Sequence, residues 1–373
     1  MVFIDSIQIE NFRGIKKGEI EGLVSVNILL GPNGAGKSTI LEALYLASAW
    51  AKREDSIRGL NKEDYVILRR TGRGNWSTAQ DILWYNMDTE KEIRISILSS
   101  MGQFLDFRIP YKSSLFRGDQ SPIFIKFPTE FLDKSSPSWL SRAYISSSFH
   151  LYDPLEASYK GLFTGPIRER FHLSYSNIID LLKGTIFIDS MFLRNPKFLE
   201  ERLWSKLLAK RLDRDITKII REGYEPSVED LTYAPLYKDE YVLFLKLHDT
   251  SISIDGLGDG ARNAIGLMAP LVLARETVVL MEDPEIHQHP GGMAVLMRAI
   301  LEIAKKKLLQ LIISTQSIEF VKITLKLCER LGISAKVFFI ERENGELNTR
   351  VLKELDVDTL MKLGIDPRFL RAF

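Results

Sequence analysis

Gly31-Pro32-Asn33-Gly34-Ala35-Gly36-Lys37-Ser38 is the stretch on which the reading of the fold turns. It fits the pattern G-x-x-x-x-G-K-[ST], in which each residue type has a task. Glycines let backbone N–H groups turn inward around phosphate oxygens, and the helix that follows presents its positive end to the same anions. On this reading Lys37 reaches the β and γ phosphates of a nucleotide and the Ser38 hydroxyl is a magnesium ligand. The flanks agree. The apolar run Val26-Asn27-Ile28-Leu29-Leu30 reads as a buried strand entering the loop, and Ser38 to Trp50 follows as a helix with Ile40, Leu41, Leu44 and Ala47 or Ser48 at helical spacing.

A site of this kind needs acids at the tip of a neighbouring strand. Thr277-Val278-Val279-Leu280-Met281-Glu282-Asp283-Pro284-Glu285 offers them, because an apolar strand ends abruptly in two carboxylates. Glu282 is expected to hold magnesium through its water shell, and Asp283 to orient or deprotonate the attacking water. Acids after a strand also cap helices; the loop upstream favours the catalytic reading.

Working outward, the first thirty residues cluster apolar side chains between Gly14, Gly18 and Gly22, as in a small antiparallel arrangement. Residues 52–170 are mixed: 93–97 and 123–127 alternate as strands, and 113–141 is rich in Ser and Pro. From Pro196 to Glu222 the pattern is one long amphipathic helix. Its stripe runs from Leu199 to Ile219, and its basic residues, Arg202 to Arg221, read as a solvated face rather than a DNA-contacting one. After a strand at 241–247, alternating strands (278–281, 309–314, 336–340) and helices (291–307, 318–331) suggest a parallel sheet with crossover helices.

Composition sets the limits. The chain has 373 residues, 45% of them hydrophobic and 27% charged, as in an ordinary globular protein. Fifty basic residues against forty-nine acidic ones give a net charge of +1, which is no electrostatic argument for nucleic acid. The single cysteine, Cys328, excludes an internal disulfide and a cysteine-based zinc cluster, and reads as a small buried apolar side chain. No apolar run reaches the ~18–20 residues needed to cross a bilayer, and the N-terminus lacks a signal pattern. The expected location is cytoplasmic, with no membrane partner.

Here the motifs add up to a resemblance. Residues 31–39, GPNGAGKST, resemble the loop of the SMC/RecF-like ABC ATPases, and so does Asn11-Phe12-Arg13-Gly14-Ile15 near the N-terminus. The stretch 282–290, EDPEIHQHP, is similar to EEPExxLHP of the OLD-type (overcoming lysogenisation defect) branch. Leu257-Gly258-Asp259-Gly260-Ala261-Arg262 resembles that branch's signature loop, and Ser314-Thr315-Gln316-Ser317 stands where it has a THS switch. The resemblance implies an α/β P-loop NTPase of the ABC-ATPase head type. Its two lobes share a central, mostly parallel sheet, with an antiparallel N-terminal β region and a helical insert. Lobe I would span 1–170, the insert 171–224 and lobe II 225–373. It also implies ATP and Mg2+ as ligands, contacted by Arg13, Asn33, Gly34, Ala35, Gly36, Lys37, Ser38 and Thr39. In an ATP-dependent homodimer, Gly258, Asp259 and Gly260 of one copy would close the site of the other; DNA or a separate nuclease or effector protein would be the further partner.

Three departures bear on rate. Asp283 stands where the family usually has its catalytic Glu, about one methylene short of the water. Gln316 replaces the switch histidine and cannot take up a proton. Gly258 replaces a serine and its hydroxyl. Slow hydrolysis with intact binding is the expectation, and its alternative is a regulatory or toxin–antitoxin-like module in which ATP is mainly structural. A transporter subunit is disfavoured by the absence of an LSGGQ-type signature. Four weaker signals complete the reading. Gln80 would be the Q-loop contact to magnesium. Gly165-Pro166-Ile167-Arg168 would be a turn presenting Arg168 to the nucleotide or a partner. His287 and His289 with Glu285 invite a metal but lack a third nitrogen or sulfur ligand. Asp356 and Asp358 look like a Toprim acidic pair, yet too few residues follow for that domain, so helix capping is the expected role.

Overall fold

The computed structural model describes residues 2–111, 121–132, 134, 136–237, 240–352 and 359. Strands β1 (Ile4–Phe12) and β2 (Ile15–Ile20) form a hairpin, and β3 (Val26–Leu30) delivers the chain to the phosphate loop. Helices α1 (Lys37–Ser48), α2 (Lys62–Thr71) and the short α3 (Trp76–Ala79) follow. Strands β4 (Ile93–Ser99), β5 (Phe104–Ile109), β6 (Phe124–Lys126), β7 (Tyr144–Ser146), β8 (His150–Asp153) and β9 (Ser158–Leu162) extend the hairpin as an antiparallel wing. Helix α4 (Gly165–Lys183) leads to β10 (Ile186–Ile188), then to α5 (Ser190–Leu193), α6 (Pro196–Phe198), α7 (Trp204–Ala209) and α8 (Asp213–Gly223). Strands β11 (Val228–Tyr237), β12 (Glu240–Leu247) and β13 (Ser251–Ser253) make a separate antiparallel sheet. The rest alternates: α9 (Asp259–Leu273), β14 (Val278–Glu282), α10 (Pro290–Lys307), β15 (Gln310–Thr315), α11 (Ile318–Leu331), then β16 (Ala335–Glu343) and β17 (Glu346–Leu352).

Among the described residues, fourteen strands form one sheet in the order β10-β14-β15-β3-β16-β17-β2-β1-β4-β5-β6-β7-β8-β9. The block β10-β14-β15-β3-β16 is parallel, with the phosphate-loop strand between β15 and β16. Every residue of β3 is buried, as a central parallel strand covered on both faces requires. Alternation then sorts the side chains. Leu29, Val278, Leu280 and Ile312 face one core with Ile40, Leu41 and Leu44 of α1. Val26, Ile28, Leu30, Val279, Met281 and Ile313 face a second core with α9, α10 and α11.

The mostly parallel core and the antiparallel N-terminal region are as read from sequence, with strand and helix limits shifted by only a few residues. Two expectations need correction. The single helix over 196–222 is broken: a π turn at Leu199–Leu203 precedes α7, and Arg211 at φ +55° separates α7 from α8. Leu203, Trp204, Leu207, Ile216 and Ile220 are all buried; the break lets both helices bury their apolar faces in one core. The stretch 171–224 is also not wholly helical, because β10 joins the main sheet beside β14. The Asp356–Asp358 reading falls outside the described residues.

Candidate functional site

The carboxyl ends of the parallel strands lie level with one another. Glu282 pairs in register with Ser314, Ser314 with Leu29, and Thr315 with Leu30, so the phosphate loop, the acids and the switch segment all leave the sheet at one edge. Ligands of open α/β sheets bind outside that edge. A cavity of about 240 Å³ sits there, lined by the loop residues Asn33 to Thr39 together with Arg13, Gly14, Arg70, Asp283, Ser314, Gln316 and Arg342.

The loop is preset by its glycines. Gly34 and Gly36 have φ of +76° and +103°, a region costly for side chains, and Gly36 stands directly before α1. Gly31 is fixed by proximity: a Cβ there would lie 2.2 Å from the carbonyl oxygen of Ile340 on β16. Lys37 Nζ donates to the carbonyls of Gly31 (2.6 Å) and Pro32 (3.0 Å) across the loop. Burial lowers its pKa, with Asp283, Glu282 and Glu285 acting in opposition.

The two acids of β14 part company. Glu282 continues the Val278 and Leu280 side of the strand, toward α1 and α2, and takes an ion pair from Arg69. It does not line the phosphate cavity. Asp283 leaves the strand at φ +43°, its N–H donating to the Ser314 carbonyl (2.9 Å), and does line it. Burial, and then the Glu282 charge, push the Asp283 carboxyl up to about 6. Glu285 accepts from the Thr315 hydroxyl, and burial raises it to about 7. The expected magnesium role of Glu282 therefore falls to a carboxylate that is already paired to a cation, the Arg69 guanidinium.

Of the arginines at the cavity, sequence reading found Arg13 and missed Arg70 and Arg342. Glu42, fully buried on α1, holds Arg13, Arg69 and Arg70, the last at 2.7 Å. Arg13 itself sits in the β1–β2 turn at φ +54°, its N–H donating to the Leu83 carbonyl at 2.7 Å. Its guanidinium pKa is lowered to about 9 by burial and by the charges of Arg70 and Arg69. Arg342, from β16, donates to the Gly14 carbonyl at 2.9 Å. Three cations thus border the cavity beside Lys37. Only Arg13 stands in a motif; Arg70 and Arg342 lie in stretches without a recognisable pattern.

Other expected residues lie elsewhere. Gln80 does not reach the phosphate cavity: it starts a buried 3-10 turn, between Trp76 and Trp84, and this corrects its Q-loop assignment. Gly258, Asp259 and Gly260 open α9 on the far side of Asp283. Asp259 there lines a second cavity of about 310 Å³ with Arg262, Glu282, Asp283 and His287. That loop is packed onto the segment after the acids, since Gln288 donates to the Gly260 carbonyl at 3.0 Å and Asn263 to the Ile286 carbonyl at 3.3 Å. His289 caps α10 by accepting from the Gly291 N–H at 3.2 Å. Arg168 lies over the Phe149 ring and lines a separate cavity with Trp50 and His172, away from the phosphate loop.

Asp283 Oδ1, Glu285 Oε2 and Ser314 Oγ are buried without a hydrogen-bond partner. Asp283 and Ser314 line the phosphate cavity, with Glu285 two residues on from Asp283, a donor set suited to a hydrated hard cation. With Ser38 at the loop's end, these residues fit magnesium. Among the described residues, no helix is long and apolar enough to cross a membrane.

A phosphate loop between parallel strands, acids on the next strand but one, and an antiparallel wing define a P-loop ATPase head of the SMC/RecF-like ABC type. The chain belongs to the family described as "AAA domain, putative AbiEii toxin, Type IV TA system", which it matches over residues 26–322. It is similar to the OLD nuclease of Thermus scotoductus, 24% identical over 340 residues, 83% of this chain and 58% of that one. It is also 33% identical over 113 residues to an ATP/GTP phosphatase of Helicobacter pylori, covering 30% of this chain and 29% of that one. The chain therefore spans less than two thirds of either relative. The SMC head bound to the C-winged helix domain of ScpA superposes with a TM-score of 0.50 at 12% identity, covering 96% of this chain and 99% of that one; the likeness shows the fold alone.

Proposed function

We propose that this protein binds ATP with magnesium, hydrolyses it slowly, and uses it to pair two copies of itself as a switch acting on DNA or on a separate effector. The observation that carries this is the separation of the two nucleotide-facing loops. The phosphate cavity is lined by Asn33 to Thr39, whereas Asp259 of the signature-like loop lines a different cavity. Within one copy that loop does not line the phosphate cavity, so a second copy is its natural route to a γ-phosphate. The cavity's 240 Å³ also falls below the ~300–1,000 Å³ of complete small-molecule pockets, as expected for half a site.

In this reading Lys37 and the loop N–H groups hold the phosphates, and Arg13, Arg70 and Arg342 add positive charge beside them. Magnesium would neutralise the phosphate oxygens, held by Ser38 with Asp283 nearby. Asp283, raised to about 6 yet ionised at neutral pH, orients or deprotonates water. Its short side chain, and an amide at Gln316 where a proton acceptor would serve better, argue for slow turnover.

The names of relatives, an ATP/GTP phosphatase, an OLD nuclease and a DNA double-strand break repair Rad50 ATPase of Archaeoglobus fulgidus, support hydrolysis of a nucleoside triphosphate and work near DNA; DNA repair, DNA processing or anti-phage defence is the setting we propose. The family description favours a second reading, a toxin–antitoxin-like module in which ATP is mainly structural. One experiment separates them: the solution mass of wild type, Lys37→Ala and Asp283→Asn with and without ATP. The switch requires ATP-dependent dimers that persist in Asp283→Asn and vanish in Lys37→Ala. A mass indifferent to ATP in all three proteins leaves the structural reading. Hydrolysis stimulated by added DNA identifies DNA as the partner.

A further inference from the structure

The side chain of Arg69 spends its guanidinium on three carboxylates from three separate elements. It pairs with Glu42 of α1, with Asp189 after β10 (Nε to Oδ2, 2.8 Å), and with Glu282 at the end of β14. It is only 6% exposed, and its guanidinium carbon lies 4.7 Å from the centre of the Phe187 ring. A guanidinium stays charged at any physiological pH, and its planar fork fixes where its partners lie.

The three partners are not equally dependent on it. Glu42 keeps Arg13 and Arg70. Asp189 keeps the Tyr65 hydroxyl at 2.7 Å, the Phe192 N–H at 2.9 Å and Arg58. Glu282 adjoins the oxygens that would hold the metal: Asp283 follows it in the chain, and its register partner is Ser314, whose hydroxyl is orphaned. Arg69 can release Glu282 and remain neutralised by the other two acids. Glu282 cannot serve a cation at the phosphate loop while Arg69 holds it.

We propose that Arg69 is a positioning residue that holds Glu282 in competition with magnesium, so that the metal must win this carboxylate from a guanidinium as it binds with nucleotide. The proposal rests on the reading of the phosphate cavity as a magnesium–nucleotide site. Binding would then demand more magnesium than a free carboxylate would, and the demand would be set by a residue that touches neither metal nor nucleotide.

The test is a magnesium titration of the binding of a fluorescent ATP analogue to the full chain, with folding checked by thermal denaturation. Arg69→Gln should lower the magnesium concentration for half-maximal binding roughly fivefold to tenfold, the scale of one lost charge-assisted contact. Glu282→Gln should raise it, and Arg69→Gln should then bring no gain in the double variant. A magnesium requirement unchanged or raised in folded Arg69→Gln overturns the proposal. So does an unchanged requirement in Glu282→Gln, which leaves Arg69 in place and covers the case in which Arg69→Gln does not fold. A wild type that binds no nucleotide at any magnesium concentration overturns the nucleotide reading itself, and this idea with it.

Discussion

Lys37 donates its ammonium to the carbonyl of Gly31, 2.6 Å away, tying the end of the phosphate loop to its beginning. In the proposed reading the same nitrogen reaches a phosphate, so anion binding would exchange two loop carbonyls for phosphate oxygens. Removing it deletes a charge-assisted contact that no neighbour replaces. Lys37→Ala should weaken ATP binding by roughly a hundredfold, measured by calorimetry. Binding within a few-fold of wild type would remove Lys37 from the site.

Gly31 has its own test. A side chain here would bring its Cβ to 2.2 Å from the Ile340 carbonyl oxygen, and that atom belongs to the central sheet. Gly31→Ala must push β3 and β16 apart, at a cost of about 2 kcal/mol or more. Denaturant unfolding should show a lower midpoint. A loss under about 0.5 kcal/mol, the range of inert surface changes, would show that the two strands have room to spare.

Asp283 predicts both a rate and a pH profile. With its carboxyl raised to about 6 by burial and by Glu282, it is protonated and useless as a base below that pH. The kcat/KM for ATP should fall about tenfold per pH unit on the acid side of about 6. At neutral pH, turnover should lie well below the ~10 per second of a median enzyme. Asp283→Glu restores the missing methylene and should raise turnover, by roughly tenfold if reach is the limit. An unchanged or lower rate with intact ATP binding would show that chain length is not what slows the reaction.

Lys62 offers a stability test remote from the site. It is buried, donates to the Ser48 hydroxyl at 2.7 Å, and burial lowers its pKa to about 7. An unfolded lysine takes up its proton near ~10.4, so stability falls as pH drops from about 10 to about 7 and levels off below. Lys62→Met removes that penalty and should raise the melting temperature by several degrees at pH ~7, and by less at pH ~10. A gain equal at both pH values would mean that packing, not charge, is responsible.

How much of this was legible beforehand follows from the range of the forces involved. The phosphate loop could be read because its geometry depends on local backbone freedom, at Gly34 and Gly36, and on adjacent apolar runs. The strand at 278–282 and the helices at 290–307 and 318–331 could be read because periodicity is a property of one segment. The break at Arg211 could not, because two half-helices and one continuous helix carry the same apolar stripe; which forms depends on the core they meet.

The sequence by itself determined a phosphate loop and a second apolar strand ending in acids, since both are written in short contiguous patterns with a fixed chemical task. Only the tertiary structure decided that Glu282 meets Arg69 while Asp283 lines the cavity, and that Arg70 and Arg342 border the same cavity. It also left Gln80 outside. The reason is physical: which side of a sheet a carboxylate takes, and which cation meets it there, depends on strand order and burial. Those are settled by contacts between residues far apart in the chain, such as Arg69 and Glu282, which no local pattern encodes.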